Sequence, residues 1–298
     1  MVLDLPTIIQ GGMGVAVSSW QLANAVAREG QLGVVSGTGI GIVMIARLMK
    51  GDKDGGVRRA LAHFPIREVA ERIEKKYYIE GGMAEGAGYK RPPMWTTKPS
   101  RELNEMTVVA NFVEVWLAKE GHNGTVGINL LEKVQMPNLS SLYGAILAGV
   151  DVVIMGAGIP LQIPGSLDRL AEHKAASYRL DVLGALETDD IRIHFDPEEV
   201  FPGIGAQLGP LKRPIFLPII SSVVLAQALL KRANGRIDGF VIETPIAGGH
   251  NAPPRGALKM NERGEPVYGE KDVVNLEKMR EIGLPVSKGV AFVSDKIG

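Results

Sequence analysis

The sequence contains no cysteine, few aromatic residues and no excess of charge of either sign. Without cysteine it cannot form disulfides, thiolate metal sites or a cysteine nucleophile, which fits a reducing compartment, so we expect a cytoplasmic protein. Its 33 basic and 33 acidic residues balance, so no overall field favours nucleic acid or an anionic membrane. No apolar run reaches the roughly 20 residues that span a bilayer. We expect neither nucleic acid nor membrane as a partner.

Short apolar runs alternate with longer helical patterns along the 298 residues. The predicted strands are residues 6–10, 32–35, 125–130, 152–155, 215–220 and 239–242. The predicted helices are residues 19–28, 101–120, 139–148, 161–172 and 223–233, and residues 40–78 are mostly helical. Successive strand-loop-helix units favour a TIM-type (β/α)8 barrel over an open doubly wound sheet, although periodicity alone does not separate the two.

Two segments interrupt this pattern. Residues 81–99 form a loop rich in Gly, Pro and Met, which we interpret as a lid or a partly mobile insertion. Residues 178–182 and 191–195 alternate in polarity, which predicts an antiparallel hairpin. The sequence therefore predicts one barrel domain over residues 1–298, with insertions at about residues 51–100 and 176–210.

Residues suited to binding a cofactor follow the predicted strands. They are Gly11-Gly12-Met13 after the first strand, Asn129 in the third, Gly156-Ala157-Gly158 after the fourth, and Glu243 with Gly248-Gly249-His250 after the sixth. In a barrel these positions meet at one mouth. Glycine allows a flat ring to approach the backbone, an asparagine amide can both donate and accept hydrogen bonds, and histidine titrates near neutrality. Each motif alone is more often structural, but the set predicts a cofactor site.

The ordered set of motifs, together with Gly33-Val34-Val35-Ser36-Gly37 at the second strand, resembles the nitronate monooxygenase family. These enzymes, formerly called 2-nitropropane dioxygenases, are FMN-dependent barrel oxidoreductases related to flavin-dependent enoyl-acyl carrier protein reductases. The resemblance extends from about residue 6 to about residue 285.

The resemblance implies a role for each matching position. The backbone of Gly11, Gly12 and Met13 would lie against the isoalloxazine, and Asn129 would bind the flavin or its phosphate. Gly156, Gly158 and Glu243 would belong to the same cofactor site, with Gly248 and Gly249 close to the flavin. His250 would be the catalytic base that removes a proton from the carbon next to a nitro group, or an electrophilic partner to the substrate.

One region departs from the family pattern. Residues 283–286 could begin a seventh strand, yet residues 287–292 resemble an eighth strand and follow at once. A parallel crossover needs a dozen or more residues, so we predict a barrel shortened at its seventh and eighth units. In the family these two units hold the FMN phosphate.

The sequence leaves three functions open. The first is an FMN-dependent, nitronate monooxygenase-like enzyme that uses O2 for the oxidative denitrification of alkyl nitronates. The second is a flavin enoyl-thioester reductase that consumes NAD(P)H. The third is a non-catalytic barrel subunit that has lost its flavin phosphate site. We expect a small-molecule substrate, leave a homodimer open, and predict no metal site, because no histidine pair has ligand spacing with a carboxylate.

Overall fold

The computed structural model describes residues 6–186, 188–245 and 252–282, which form a parallel sheet with helices packed against it. The helices are α1 (Trp20–Arg28), α2 (Ile40–Met49), α3 (Gly56–Leu61), α4 (Arg67–Tyr77), α5 (Arg101–Lys119), α6 (Asn138–Leu147), α7 (Ile163–Ala171), α8 (Pro197–Val200), α9 (Ile204–Leu208), α10 (Val223–Arg232) and α11 (Leu276–Glu281). The strands are β1 (Gly33–Ser36), β2 (Val126–Leu131), β3 (Val152–Gly156), β4 (Ala176–Arg179), β5 (Arg192–Phe195), β6 (Ile215–Ile220) and β7 (Val241–Ile242). A short 3₁₀-helix spans Glu270–Asp272.

The central sheet has five strands in the order β1-β2-β3-β6-β7, and every neighbouring pair is parallel. Helices cross over between successive strands, with α6 between β2 and β3 and α10 between β6 and β7. Before β1, Ile9 adds one parallel bridge to Leu32. The predicted α/β class is confirmed, and the carboxyl ends of the strands lie at one edge of the sheet, where α/β folds bind ligands.

The sheet does not close on itself within the described residues. Its two edges are the bridge at Ile9 and the strand β7. A closed barrel needs further strands between these edges, and the predicted seventh and eighth strands fall in residues 283–298, outside the described residues. The α/β sheet is therefore established, while the TIM-type barrel remains a prediction.

Two predicted strands are shorter in the structure. Of residues 6–10, only Ile9 pairs with a neighbouring strand, and the predicted strand 239–242 is reduced to Val241–Ile242. Both lie at an edge of the described sheet, where one side has no strand to extend the pairing. The inner strands match their predicted ranges to within one or two residues.

The two faces of the sheet carry separate apolar clusters. Val35, Ile128, Val153 and Phe216 belong to the large cluster shared with the helices. On the opposite face, a small cluster consists of Ile9, Leu32, Val34, Val152, Ile154 and Leu217. Strands buried on both faces read as continuous apolar runs, which is why the sequence marked them clearly. The small cluster forms the floor beneath the candidate site.

Helix α5 is the longest described helix, with 19 residues, and is buried along most of its length. Ser100 caps it by accepting a hydrogen bond from the Leu103 backbone N–H at 3.2 Å. Val109, Phe112, Val113, Trp116 and Leu117 recur at helical spacing, and all except the partly buried Trp116 are fully buried, so this face of α5 packs into the core. None of the described helices combines the length and the apolarity needed to cross a membrane.

A charged residue that the sequence did not single out joins α5 to two other helices. Glu114 is only 1% exposed. Its carboxylate accepts hydrogen bonds from the Trp20 backbone N–H at 2.7 Å and from Arg47 Nη1 at 2.5 Å. These partners satisfy a carboxylate that would be costly to bury alone, so Glu114 fixes the start of α1 and the end of α2 against α5.

The predicted hairpin is confirmed as the antiparallel pair β4 and β5, with Ala176 opposite Phe195 and Arg179 opposite Arg192. Its first strand begins two residues before the predicted start at residue 178. The helices α8 and α9 complete the segment that returns to β6. The other predicted insertion contains α3 and α4, and residues 78–100 form no helix or strand.

Candidate functional site

A cavity of about 530 Å³ opens at the carboxyl ends of the parallel strands. Six of the predicted site residues line it, namely Gly11, Met13, Asn129, Gly156, Gly158 and Glu243. They come from the ends of the first predicted strand, β2, β3 and β7, so residues more than 200 positions apart in the chain share one space. The predicted Gly248, Gly249 and His250 lie outside the described residues.

The walls of the cavity are largely apolar. Ile154, Ile219, Leu225 and Val241 contribute side chains from β3, β6, α10 and β7. A cavity of a few hundred Å³ with apolar walls and few polar groups is typical of a small-molecule or cofactor site. The sequence predicted the convergence of strand ends but not this lining, because wall and core residues look alike in a sequence.

Asn129 is the central polar group of the site and is 3% exposed. Its Nδ2 donates to the Gly11 carbonyl oxygen at 2.8 Å and contacts Met13 Sδ at 3.2 Å. These bonds hold the loop after the first predicted strand against β2. Its Oδ1 is buried and accepts no hydrogen bond from the described part of the chain. Because a buried acceptor without a partner is costly, this oxygen is suited to a ligand donor.

Gly12 has a packing role. Its φ is +68°, in the left-handed region that favours glycine. A Cβ at this position would overlap Val34 Cγ1 and lie 3.0 Å from the Asn129 Cβ. The glycine therefore lets the loop approach the sheet closely enough for Gly11 and Met13 to reach Asn129.

The turn after β3 forms another wall. Ala157 has φ +55° and Gly158 has φ +155°, so both residues adopt backbone conformations that side chains disfavour. The turn is held to the β2 end by bonds from the Glu132 N–H to the Gly156 carbonyl oxygen at 2.8 Å and from the Lys133 N–H to the Ala157 carbonyl oxygen at 3.2 Å.

A buried carboxyl that sequence reasoning missed lies behind this turn. Glu132 is 8% exposed, and a Cβ on Gly158 would overlap its Oε2. The Tyr178 hydroxyl donates a hydrogen bond to its Oε1. Burial raises the pKa of the Glu132 carboxyl, the nearby Asp181 adds to this effect, and the hydrogen bond from Tyr178 opposes it. Its position after β2 could have marked it as a site residue, but nothing in the neighbouring sequence distinguishes it from a surface glutamate.

Glu243 lies at the opposite side of the cavity and is half-buried. Its backbone N–H donates to the Ile220 carbonyl oxygen at 2.8 Å, which fixes it at the end of β7. Burial raises the pKa of its carboxyl, while a hydrogen bond from the Ala252 backbone N–H opposes the shift. A carboxyl with a raised pKa can hold a proton beside a ligand at higher pH than an exposed one.

The segment that follows the undescribed residues 246–251 packs back onto the sheet edge. Arg255 Nη2 donates to the Ser221 carbonyl oxygen at 3.0 Å, and the Arg255 backbone N–H donates to Asp272 Oδ1 at 2.7 Å. Ser222 caps α10 by accepting a hydrogen bond from the Leu225 backbone N–H at 3.0 Å. Ser221 and Pro253 from this region complete the cavity wall.

No metal centre is found among the described residues, where no three His, Asp or Glu side chains are grouped to hold an ion. His63 stacks on Trp116 with ring centroids 4.4 Å apart. His173 is held between the Tyr143 hydroxyl at 2.7 Å and the Gly209 carbonyl oxygen at 2.8 Å. These contacts give both imidazoles structural roles.

A second cavity, of about 640 Å³, lies between α7 and the β4–β5 hairpin. Its lining is mainly polar and includes Arg169, Arg192 and His194. None of the predicted site residues contributes to it, so the cavity at the strand ends is the candidate site.

No protein-family model matches the chain, and no curated protein matches it. The residues of the cavity and the resemblance of their motifs are therefore what indicates a function.

Proposed function

We propose that this chain is an FMN-dependent oxidoreductase of the nitronate monooxygenase type. The observation that carries the proposal is the convergence of Gly11, Met13, Asn129, Gly156 and Gly158 on one apolar cavity. The motif resemblance identified these positions without any knowledge of their distances. Their convergence supports a common ligand, because residues with unrelated structural roles need not share a space.

The cavity fits a flavin in three respects. Its volume of about 530 Å³ lies within the usual range of cofactor sites. Three of its lining residues, Gly11, Gly156 and Gly158, contribute backbone atoms to the wall, and a flat ring can pack against exposed backbone. The unpaired Asn129 Oδ1 supplies an acceptor for a ring N–H.

The chain's own residues would bind and orient the ligands. The apolar side chains of Ile154, Ile219 and Val241 would exclude water from the ring, and Asn129 would fix its orientation. FMN, when bound, supplies the electron transfer that no side chain can perform. Glu243, with its raised pKa, is placed to hold a proton at the cavity edge.

The resemblance assigns proton abstraction to His250. Histidine is the side chain whose ordinary pKa lies closest to neutral pH, which suits it to act as a general base. In this proposal a ring nitrogen of His250 takes up the proton, which comes from the carbon next to the nitro group of the substrate. The proposal also includes a closed barrel, in which residues after β7 join it to the bridge at Ile9.

The test is a visible absorption spectrum of the purified protein, followed by acid release and chromatographic identification of the chromophore. We expect oxidised-flavin absorption and FMN in the supernatant. Oxygen consumption with alkyl nitronates, compared with NAD(P)H oxidation in the presence of enoyl thioesters, then distinguishes the monooxygenase from the reductase. A colourless protein that also fails to take up added FMN would overturn the proposal.

A further inference from the structure

Among the described residues that line the strand-end cavity, Lys133 is the single basic side chain. It lies two residues after the end of β2 and is exposed. Within the described ranges no carboxylate lies within ion-pairing distance of its ammonium group, although fourteen ion pairs occur elsewhere. Its positive charge is therefore not neutralised by the part of the protein that the structure describes.

The adjacent glutamate does not neutralise Lys133. Glu132 turns into the interior, where it accepts the hydrogen bond from Tyr178 and packs against Gly158. The two consecutive residues thus have opposite environments, with the carboxyl buried behind the wall and the ammonium at the cavity. This arrangement keeps the Lys133 ammonium beside the ligand space, apart from the carboxyl of its sequence neighbour.

Two unpaired backbone donors lie on the neighbouring turn. Gly158 and Ile159 both line the cavity, and neither N–H donates a hydrogen bond to any described residue. The Lys133 N–H to Ala157 carbonyl bond of 3.2 Å fixes this turn beside the lysine. Consecutive amides in a turn with a left-handed residue, here Ala157 at φ +55°, are a common anion-binding arrangement.

We infer that Lys133 and the backbone N–H groups of Gly158 and Ile159 form an anion-binding site in the wall of the cavity, which takes a phosphate or carboxylate group. The identity of the ligand rests on the proposed function, because the anion is either the phosphate of FMN or an acidic group of the substrate. The site would supply a cation and amide donors, the combination that recognises phosphate esters and carboxylates. It would also give the cavity a phosphate contact that does not depend on residues 283–298.

The experiment compares the affinities of the flavin-free protein for FMN and for riboflavin, which lacks the phosphate. The variants are Lys133→Ala, Lys133→Arg and the control Lys231→Ala, which removes an exposed lysine from the last turn of α10. If the anion is the flavin phosphate, Lys133→Ala weakens FMN binding by about tenfold, on the scale of one charge-assisted hydrogen bond, and leaves riboflavin binding unchanged. Lys133→Arg retains most of the preference for FMN.

If the anion belongs to the substrate, both flavins bind the Lys133→Ala variant normally. The KM for a carboxylate-bearing substrate analogue then rises about tenfold relative to that of its uncharged ester, with little change in kcat. Either pattern supports the anion site and identifies the source of the anion. Equal behaviour of Lys133→Ala and Lys231→Ala in both assays would overturn it.

A third measurement separates this inference from the proposed function. Inorganic phosphate should slow the modification of Lys133 by an amine-reactive reagent, read by mass spectrometry, relative to Lys231. This result is expected even for a protein that takes up no flavin, in which case the proposed function fails and the anion site stands. If the protein binds flavin but phosphate does not protect Lys133 from the reagent, the anion site is contradicted and the proposed function is not.

Discussion

The Tyr178 hydroxyl donates a hydrogen bond to the Glu132 carboxylate across 46 positions of sequence. This contact joins the β4–β5 hairpin to the turn that lines the candidate site, because Glu132 packs directly against Gly158. The hairpin, predicted as an insertion, therefore supports the wall of the cavity.

Tyr178→Phe should lower the free energy of unfolding by about 1–3 kcal/mol, because it leaves a buried carboxyl without its donor. Equilibrium denaturant unfolding measures the change. In the double variant Tyr178→Phe/Glu132→Gln, the loss in free energy of unfolding should be smaller than the sum of the losses in the two single variants, because both substitutions remove the same hydrogen bond. Strict additivity would show that the hydroxyl and the carboxyl do not interact.

Glu132→Gln should change how stability depends on pH. The folded-state pKa of Glu132 is raised by burial, so the folded protein binds its proton more tightly than the unfolded chain. The stability that Glu132 contributes to the folded state is present below the ordinary glutamate pKa, and it is lost as the pH rises through the raised pKa. The variant should therefore show a smaller fall in melting temperature as the pH rises from the ordinary glutamate range of about 4 toward neutrality.

Glu198→Gln provides a comparison of opposite sign. Hydrogen bonds from the Gly205 and Gly203 backbone N–H groups lower the pKa of the Glu198 carboxyl. Its contribution is present above the ordinary pKa and is lost as the pH falls through the lowered value. The glutamine variant should be less stable than the unsubstituted protein at neutral pH and approach it in acid. Identical pH profiles for the two glutamine variants would contradict both assignments.

Gly12→Ala should destabilise the protein by more than the cost of a left-handed alanine. The substitution at φ +68° also forces a Cβ into Val34 and Asn129. Gly30→Ala is the matched control, because its φ is +71° and a Cβ there meets no atom within 4 Å. We expect a loss of about 1–2 kcal/mol for the control and about 1–3 kcal/mol more for Gly12→Ala, both measured by denaturant unfolding.

Asn129→Ala should reduce FMN affinity by about tenfold, since it removes the free acceptor and releases Gly11. Asn111→Ala is its control. Asn111 is also buried, and its Oδ1 accepts no hydrogen bond from any residue that the structure describes. Its Nδ2 donates to the Thr107 carbonyl oxygen at 2.9 Å, but it lies in α5 and not in the cavity wall. Both variants should lose similar stability. Flavin titration should separate them, and an equal effect on FMN would count against Asn129 as a ligand-binding group.

His250→Ala should leave the flavin content near normal and lower turnover by about a hundredfold or more, which is the usual contribution of a general base. His194→Ala is the control, because it removes an exposed imidazole from β5. Steady-state rates with an alkyl nitronate measure the difference. Unchanged turnover in the His250 variant would remove it from the proposed mechanism.

The sequence alone determined the α/β class and most of the element boundaries. Parallel strands that are buried on both faces, such as β2, β3 and β6, are continuous apolar runs, and helix α5 shows an apolar stripe at helical spacing. These signals are local, because each depends on neighbouring residues along the chain. The same local reading placed Asn129, Gly156, Gly158 and Glu243 at strand ends, from which their convergence followed.

Only the tertiary structure decided which apolar side chains form the cavity walls and what surrounds each charged group. Glu132 and Lys133 are neighbours in sequence, yet one is buried beneath Tyr178 and the other is exposed at the cavity. Glu114 is similarly buried because Trp20 and Arg47 reach it from two other helices. Burial and the hydrogen-bond partners of a charge depend on contacts between segments far apart in the chain. Composition and periodicity do not predict those contacts.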